Sequence, residues 1–280
     1  MEKARYPIKV MCKVMKVSRS GYYKRNSRSK SRLRIENEKL TDKISDIYKE
    51  SRRTYGSPRV YNELKKVGIM VGRNRVAKLM REAGLRVKTK RRYRVTIDSK
   101  HNYRVFPNIL GRRFETSKTN NKWASDMTYI EIQGGWLYLA VVLDLYSRQV
   151  VGWAMGRKMR DSLAVTALQM AVGRREIKEG LIHHSDRGSQ YASNAYQEEL
   201  RKHGMVCSMS RKGNCWDNAP LESFFKTLKM DLIYKRKPRS YEATKQEIFE
   251  YIEVFYNRRR LHSSLDYVSP VDYELATLVA

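Results

Sequence analysis

The stretch KWASDMTYIEIQGGWLYLAVVLDLYSRQVVGWAMG, residues 122–156, decides the fold. KWASDMTYIEI, WLYLAVVLDLYS and QVVGWAMG read as three antiparallel strands, and the first turn carries the Gly134-Gly135 pair favoured in hairpins. Toward the C-terminus a helical pattern covers about 161–178, LIHHSD (181–186) is a strand, about 193–203 is a helix, and MVCSMSR (205–211) is a strand. A loop and two more helices follow. The order βββαβαβαα predicts an α/β class, a mixed five-stranded sheet with helices packed on it.

Toward the N-terminus the period changes. IKVMCKVMKVSRSGYYKR (8–25) reads as a short helix, a tight turn near Val17, and a second helix opening at Ser18, whose hydroxyl can cap it. A long helix covers about 34–50, followed by SPRVYNELKKVG and GRNRVAKLMREAG. In the last of these Val76, Leu79 and Met80 share a face, Arg73, Arg75 and Lys78 are available elsewhere, and Gly84 ends the helix. Residues 1–85 are thus an all-α, helix-turn-helix-like region. Residues 86–120 are basic, aperiodic and broken by Pro107 and Gly111, which predicts a linker; Arg91, Arg92 and Arg94 around Tyr93 suit phosphate contacts. Residues 121–280 form the α/β region.

Charge separates the two ends. Lys and Arg number 58 against 29 acids, a formal net charge of +29, which points to a polyanionic partner. Residues 1–120 hold 35 basic and 10 acidic side chains, whereas 121–280 hold 23 and 19. A basic front end on a nearly balanced back end reads as a nucleic-acid-binding region coupled to a domain with another task. No run approaches the roughly 20 apolar residues of a membrane span, and MEKARYPIKV has no apolar signal-peptide core. Cys12, Cys207 and Cys215, odd in number and without CxxC spacing, suit a reducing cytoplasm. His183 and His184, adjacent on a strand, point to opposite faces and cannot jointly hold zinc.

Three acids stand where chemistry could use them. Asp126 lies within the first strand of the α/β region and Asp186, in HHSDRGSQYAS (183–193), ends the fourth. If those strands are neighbours, the two side chains converge. Glu222, in NCWDNAPLESFFKTLKMDLI (214–233), stands near a helix start marked by Pro220. Each has an ordinary structural use, as a strand-end turn residue or a helix-cap acid. Phosphodiester cleavage needs an activated water or 3'-hydroxyl in line with the leaving oxygen, with charge on the phosphoryl group neutralised; two Mg2+ ions roughly 4 Å apart do both. Hard cations take oxygen ligands, so Asp, Asp and Glu suit that role. Lys229, seven residues and two turns beyond Glu222, shares its face, with Lys226 near the same stripe.

Together these residues resemble the D,D-35-E signature of retroviral-integrase-like DDE transposases: WASDMTYI, HSDRGSQY, then 35 residues between Asp186 and Glu222, and Lys229 seven further on. GWLYLAVVLDLYSRQVVGW, GNCWDNAPLESFFKTLK and YNRRRLHSSLDYVSP resemble in particular the second-frame product (OrfB) of bacterial insertion sequences of the IS-three type, and VSRSGYYKR and TYGSPRVYNELKKVGIMVGRNRVAKLMREAGL resemble that family's helix-turn-helix-like segment. The resemblance implies a ribonuclease-H-like catalytic core with two Mg2+ or Mn2+ ions, Asp126 bridging both while Asp186 and Glu222 each complete one. It implies cleavage at element ends to free a 3'-hydroxyl, strand transfer, circular DNA and later integration. The implied partners are double-stranded DNA, as terminal inverted repeats and target, and further copies of the chain, at least a dimer on paired ends. The upstream-frame product is another candidate partner, since residues 1–30 lack the sustained heptad of the family's leading zipper. The implied location is the cytoplasm, at the nucleoid when DNA is bound.

Two other readings explain parts of the pattern: a structure-selective nuclease on the same fold, and a DNA-binding regulator without catalysis. The first does not need the helix-turn-helix units or Lys229; the second leaves three aligned acids unused. Among the remaining polar residues, Asp144 is expected to pair with Arg148, Asp217 to form an Asx turn or helix cap, His184 to support the site or pack, and Trp216 to wedge against DNA or pack.

Overall fold

The computed structural model describes residues 6–27, 31–87 and 103–279. Helices α1 (Ile8–Val14) and α2 (Arg19–Ser27) form the first hairpin, and the Ser18 hydroxyl accepts the Gly21 amide at 3.0 Å, as the capping argument requires. Next come α3 (Arg32–Glu50), α4 (Ser57–Lys66) and α5 (Arg73–Glu82). Ile44, Val60, Leu64 and Val76 have no exposed surface, so the apolar stripes of these three helices meet in one small core. Gly84, at φ +67°, turns the chain out of α5, with the Leu85 amide on the Met80 carbonyl at 2.8 Å.

The α/β region opens with the expected meander of β1 (Lys122–Ile132), β2 (Gly135–Asp144) and β3 (Val150–Gly156), all antiparallel. Helix α6 (Asp161–Arg174) then lies on β3. The contact is too close for any side chain at Gly152, where a Cβ would stand 2.2 Å from the Ala167 carbonyl oxygen. Strand β4 (Ile182–Ser185) runs parallel to β1, and after the short α7 (Ser189–Ala192) and α8 (Asn194–Lys202), β5 (Val206–Met209) runs parallel to β4. The sheet order is β3-β2-β1-β4-β5, the mixed ribonuclease-H-like arrangement, and it makes β1 and β4 neighbours. One face packs on α6 and α8 through Ala140, Val142, Ala167 and Leu200. Its other face presents Ala124, Leu139, Val141 and Leu143.

That second face is covered by α9 (Ala219–Leu228) and α10 (Tyr241–Phe249). Each continues into a π-type turn, over Lys229–Ile233 and Glu250–Tyr256. Where two helices were expected after β5, the described residues hold a third, α11 (Pro270–Val279), opened by Ser269, whose hydroxyl accepts the Asp272 amide at 3.2 Å. Helix α7 was also unforeseen; four residues carry no measurable helical period.

The expected linker behaves differently over its described part. Residues 103–119 have no regular structure, yet Leu110 is buried and the Ile109 and Leu110 amides both donate to Ser208 Oγ on β5 at 3.0 Å. A basic, aperiodic segment was read as a tether because its anchors are single side chains with no period. The helical unit α3–α5 is also seated on the α/β region. Buried Tyr55 donates its hydroxyl to the Arg259 carbonyl at 3.1 Å and accepts the Leu261 amide at 2.8 Å, while Arg59 Nε donates to the Leu261 carbonyl at 2.8 Å.

Candidate active site

Strand parity decides which way Asp126 points. It alternates with Ala124 and Ile130, so it faces the side of the sheet on which α9 packs, and its Oδ1 accepts the Met127 amide at 2.7 Å. Asp186 follows β4 directly and its Oδ1 accepts the Gly188 amide at 2.8 Å; a Cβ at Gly188 would come within 3.0 Å of that oxygen. Glu222 lies in the first turn of α9, entered through a 3-10 turn, Cys215–Asn218.

The three acids act on one another. Burial, then the Asp186 carboxylate and more weakly Glu222, push the Asp126 carboxyl well above the usual carboxylate range, while the Met127 amide and the Lys229 ammonium pull it back. Lys229 is half-buried, its Nζ 5.1 Å from the centre of the Tyr129 ring, and burial holds its own pKa down against the Asp126 charge. Lys226 is exposed one turn earlier. Among the described residues no three His, Cys, Asp or Glu side chains stand close enough together to enclose a metal ion. As a donor set, however, they fit a hard divalent cation: carboxylate oxygens whose mutual repulsion raises Asp126, with one ammonium as their counter-charge.

Several other residues differ from expectation. Asp217 is no turn cap. It has no exposed surface and gathers Arg211 Nε and Nη2 at 2.9 and 2.7 Å, Arg112 Nε at 2.8 Å and Asn108 Nδ2 at 2.9 Å. The Arg211 guanidinium, first among these, holds its carboxyl far below the usual range. This ion cluster fastens segment 103–119 and the loop after β5 to the turn that presents Glu222. The sequence carries no periodic signal for it: Asn108 and Arg112 come from a segment far earlier in the chain, and Arg211 meets Asp217 within one irregular loop. Asp144 likewise accepts the Asn120 and Tyr146 amides at 2.8 Å rather than pairing with Arg148.

Both His184 nitrogens are taken, by Ser208 Oγ at 2.9 Å and Ser210 Oγ at 3.1 Å, so it ties β4 to β5. His183 Nε2 meets Ser125 Oγ at 2.8 Å, and burial lowers the two histidines to about 3 (His183) and about 4 (His184). Tyr191, quoted above only as part of a motif, has a buried hydroxyl with no hydrogen-bond partner among the described residues; burial raises its pKa, with smaller contributions from Tyr196, Asp126 and Asp186. Trp216 is 68% exposed and packs in no core. On α5, Arg73 and Lys78 are exposed, whereas Arg75 is partly used as a strut, its Nε on Asn37 Oδ1 at 2.9 Å. Arg91 and Arg92 lie outside the described residues.

A ribonuclease-H-like sheet with acids on its first strand, past its fourth and at the head of the helix that follows its fifth defines a polynucleotidyl transferase of the integrase class, and family models agree. An integrase core domain matches residues 116–215, an HTH-like domain 35–93, and a second integrase core model 222–278. The chain is 44% identical to the insertion element IS600 31 kDa protein of Shigella sonnei, covering 94% of this chain and 97% of that one. It is 41% identical to the transposase InsF for insertion sequence IS3A of Escherichia coli, covering 97% and 95%. Among solved structures, the HTLV-2 integrase catalytic core in complex with magnesium matches 56% of this chain and 97% of its own at 15% identity, with a TM-score of 0.42. The chain belongs to the IS3-type insertion-sequence transposases, enzymes of the DDE class.

Proposed function

We propose that this transposase cuts DNA at the ends of its insertion sequence and joins the freed 3'-hydroxyl to a second DNA site, with Asp126, Asp186 and Glu222 as the catalytic acids. The observation that carries the reading is the placement of Asp126 on β1, Asp186 directly after the neighbouring β4, and Glu222 in the first turn of α9, the helix that packs on β1. These three carboxylates would hold two Mg2+ or Mn2+ ions, which when bound activate the attacking oxygen and neutralise charge on the phosphoryl group. The protein's own part is positional. Asp126 sits on a central strand and Glu222 on a helix tied down at its entry by the Asp217 cluster, so the ligands ride on rigid elements. Lys229 and Lys226 supply positive charge beside the acids for the DNA backbone.

End recognition falls to α3–α5, with Arg73 and Lys78 on the exposed side of α5 and a smaller share for Arg75; Arg91 and Arg92 add charge from outside the described residues. The substrate is double-stranded DNA, as terminal inverted repeats and target. Paired ends call for at least two copies of the chain, and the upstream-frame product is a further candidate partner. Among the described residues no helix is long and apolar enough to cross a membrane, in keeping with action at the nucleoid.

The test uses labelled element-end duplexes with Mg2+. Asp126→Asn, Asp186→Asn and Glu222→Gln should each reduce cleavage and joining by several orders of magnitude, as expected when metal-held charge stabilisation supplies much of the rate, and should still bind ends. Lys229→Ala should fold normally yet join ends poorly. Full activity in any of the three acid variants would overturn the assignment of that ligand.

A further inference from the structure

On the flank of α9 next to the one that bears Glu222 lies a cavity of about 320 Å³. Its polar lining comes from three elements: Arg148 in the turn between β2 and β3, Ser223 and Thr227 one helical turn apart on α9, and His262, Ser263 and Ser264 after α10. No acid lines it.

Arg148 is held there by its backbone. It stands at φ +60°, and its carbonyl accepts the Tyr256 hydroxyl at 3.1 Å. Its Nη1 is buried and has no hydrogen-bond partner among the described residues. The acids nearest in effect, Asp144 and Glu115, do not complete it, and Asp144 is already committed to the Asn120 and Tyr146 amides. Arg148 lines the cavity and no carboxylate among the described residues forms an ion pair with it, so its charge is left for an anion to meet. The field there is positive. His262 is lowered to about 4, by burial first and then by Arg260, Arg148 and Arg59, and its Nδ1 meets Ser264 Oγ at 2.9 Å. A guanidinium and four hydroxyls converging from a turn, a helix and a loop suit a tetrahedral oxyanion. The volume exceeds a bare phosphate and leaves room for attached sugar.

We propose that this cavity is a phosphate site, separate from the three catalytic acids, that grips one backbone phosphate of the DNA and so fixes the strand on the flank of α9. The proposal rests on DNA being the substrate but not on which acids catalyse. It also gives YNRRRLHSSLDYVSP, which serves no catalytic step above, a role in binding.

The test measures binding, not cleavage, in the full-length protein, with Arg148→Gln and the rim variant Ser263→Asp, whose position is exposed. With duplex DNA as the probe, each variant should weaken affinity, and for Arg148→Gln the slope of log K against log salt should shrink by about 0.9, the share of one phosphate. With inorganic phosphate as the probe, against chloride at matched ionic strength, thermal stability should rise for the parent and not for the variants. Arg148-dependent phosphate protection with an unchanged duplex slope would overturn the DNA assignment in favour of a free phosphate ligand. No phosphate effect and no change of slope in either variant would overturn the site itself. Loss of cleavage in the acid variants with unchanged duplex binding leaves the two readings separable.

Discussion

Two aspartates of the same chain meet opposite fates, and one substitution tells them apart. Asp126 is pushed up by burial and by Asp186, so its charge opposes folding above the ordinary carboxylate range; Asp217 is pulled far down by Arg211, so its charge supports folding. With divalent cations chelated, Asp126→Asn should therefore raise Tm at pH 7, and Asp217→Asn should lower it; calorimetry on the two variants checks both signs. The histidines add a pH dependence. His183, His184 and His262 have folded pKa values of about 3, about 4 and about 4, below the unfolded 6.5. Their neutral forms favour the folded state in full above pH 6.5, and that contribution is lost as pH falls toward about 4. Over the same window protonation of Asp126 works the other way, since its folded pKa is raised. Tm should thus fall between pH 6.5 and 4, more steeply in Asp126→Asn than in the parent; a flat profile in both would contradict neutral burial of the histidines. The positions of Asp126 on a strand, Asp186 at a strand end and Glu222 at a helix start were legible because strand pattern and helix-start residues are local signals. Asp217 was misread because its partners Asn108 and Arg112 reach it only through the tertiary fold, while Arg211 meets it from within the same loop with no periodic signal.

At the scale of elements, the meander, the crossovers through α6 and α8, and the helices α3 to α5 were all legible, since each carries a period of 2 or 3.6 over enough residues to stand out. The elements that escaped were short or unperiodic: α7, the π-type turns after α9 and α10, and the docked strip 103–119. That strip decides how α9 is held. Arg112 and Asn108 on one side and Arg211 on the other clamp Asp217 five residues before Glu222. Replacing Asp217 by Ala removes the common anchor of the cluster and should lower stability, less than the loss of a fully buried ion pair would because both arginines can rehydrate. Denaturant titration reads that loss. Cleavage should fall with it, although Asp217 touches no metal in the proposed site.

For the whole molecule, the expectation of a basic recognition unit tethered to a separate core gives way to a seated one. Tyr55 and Arg59 lock α4 and the turn before it onto Arg259 and Leu261. If α3–α5 bind the element ends as proposed, binding and catalysis are registered to each other by packing, not by linker length. Tyr55→Phe removes the hydroxyl and leaves the ring, so it should keep duplex affinity within a few-fold while lowering accurate cleavage at the element terminus and spreading cuts to neighbouring positions. Sequencing gels of the cleaved strand read that spread, and sharp cleavage by Tyr55→Phe would sink the registration argument. The same latch has a bearing on synthesis. Tyr55 and Arg259 are 204 positions apart. At roughly 5–20 residues per second, the ribosome takes about 10–40 s to travel between them. Throughout that interval α3–α5 lack the seat that Arg259 and Leu261 give them, and the latch can close only once the C-terminal segment has emerged.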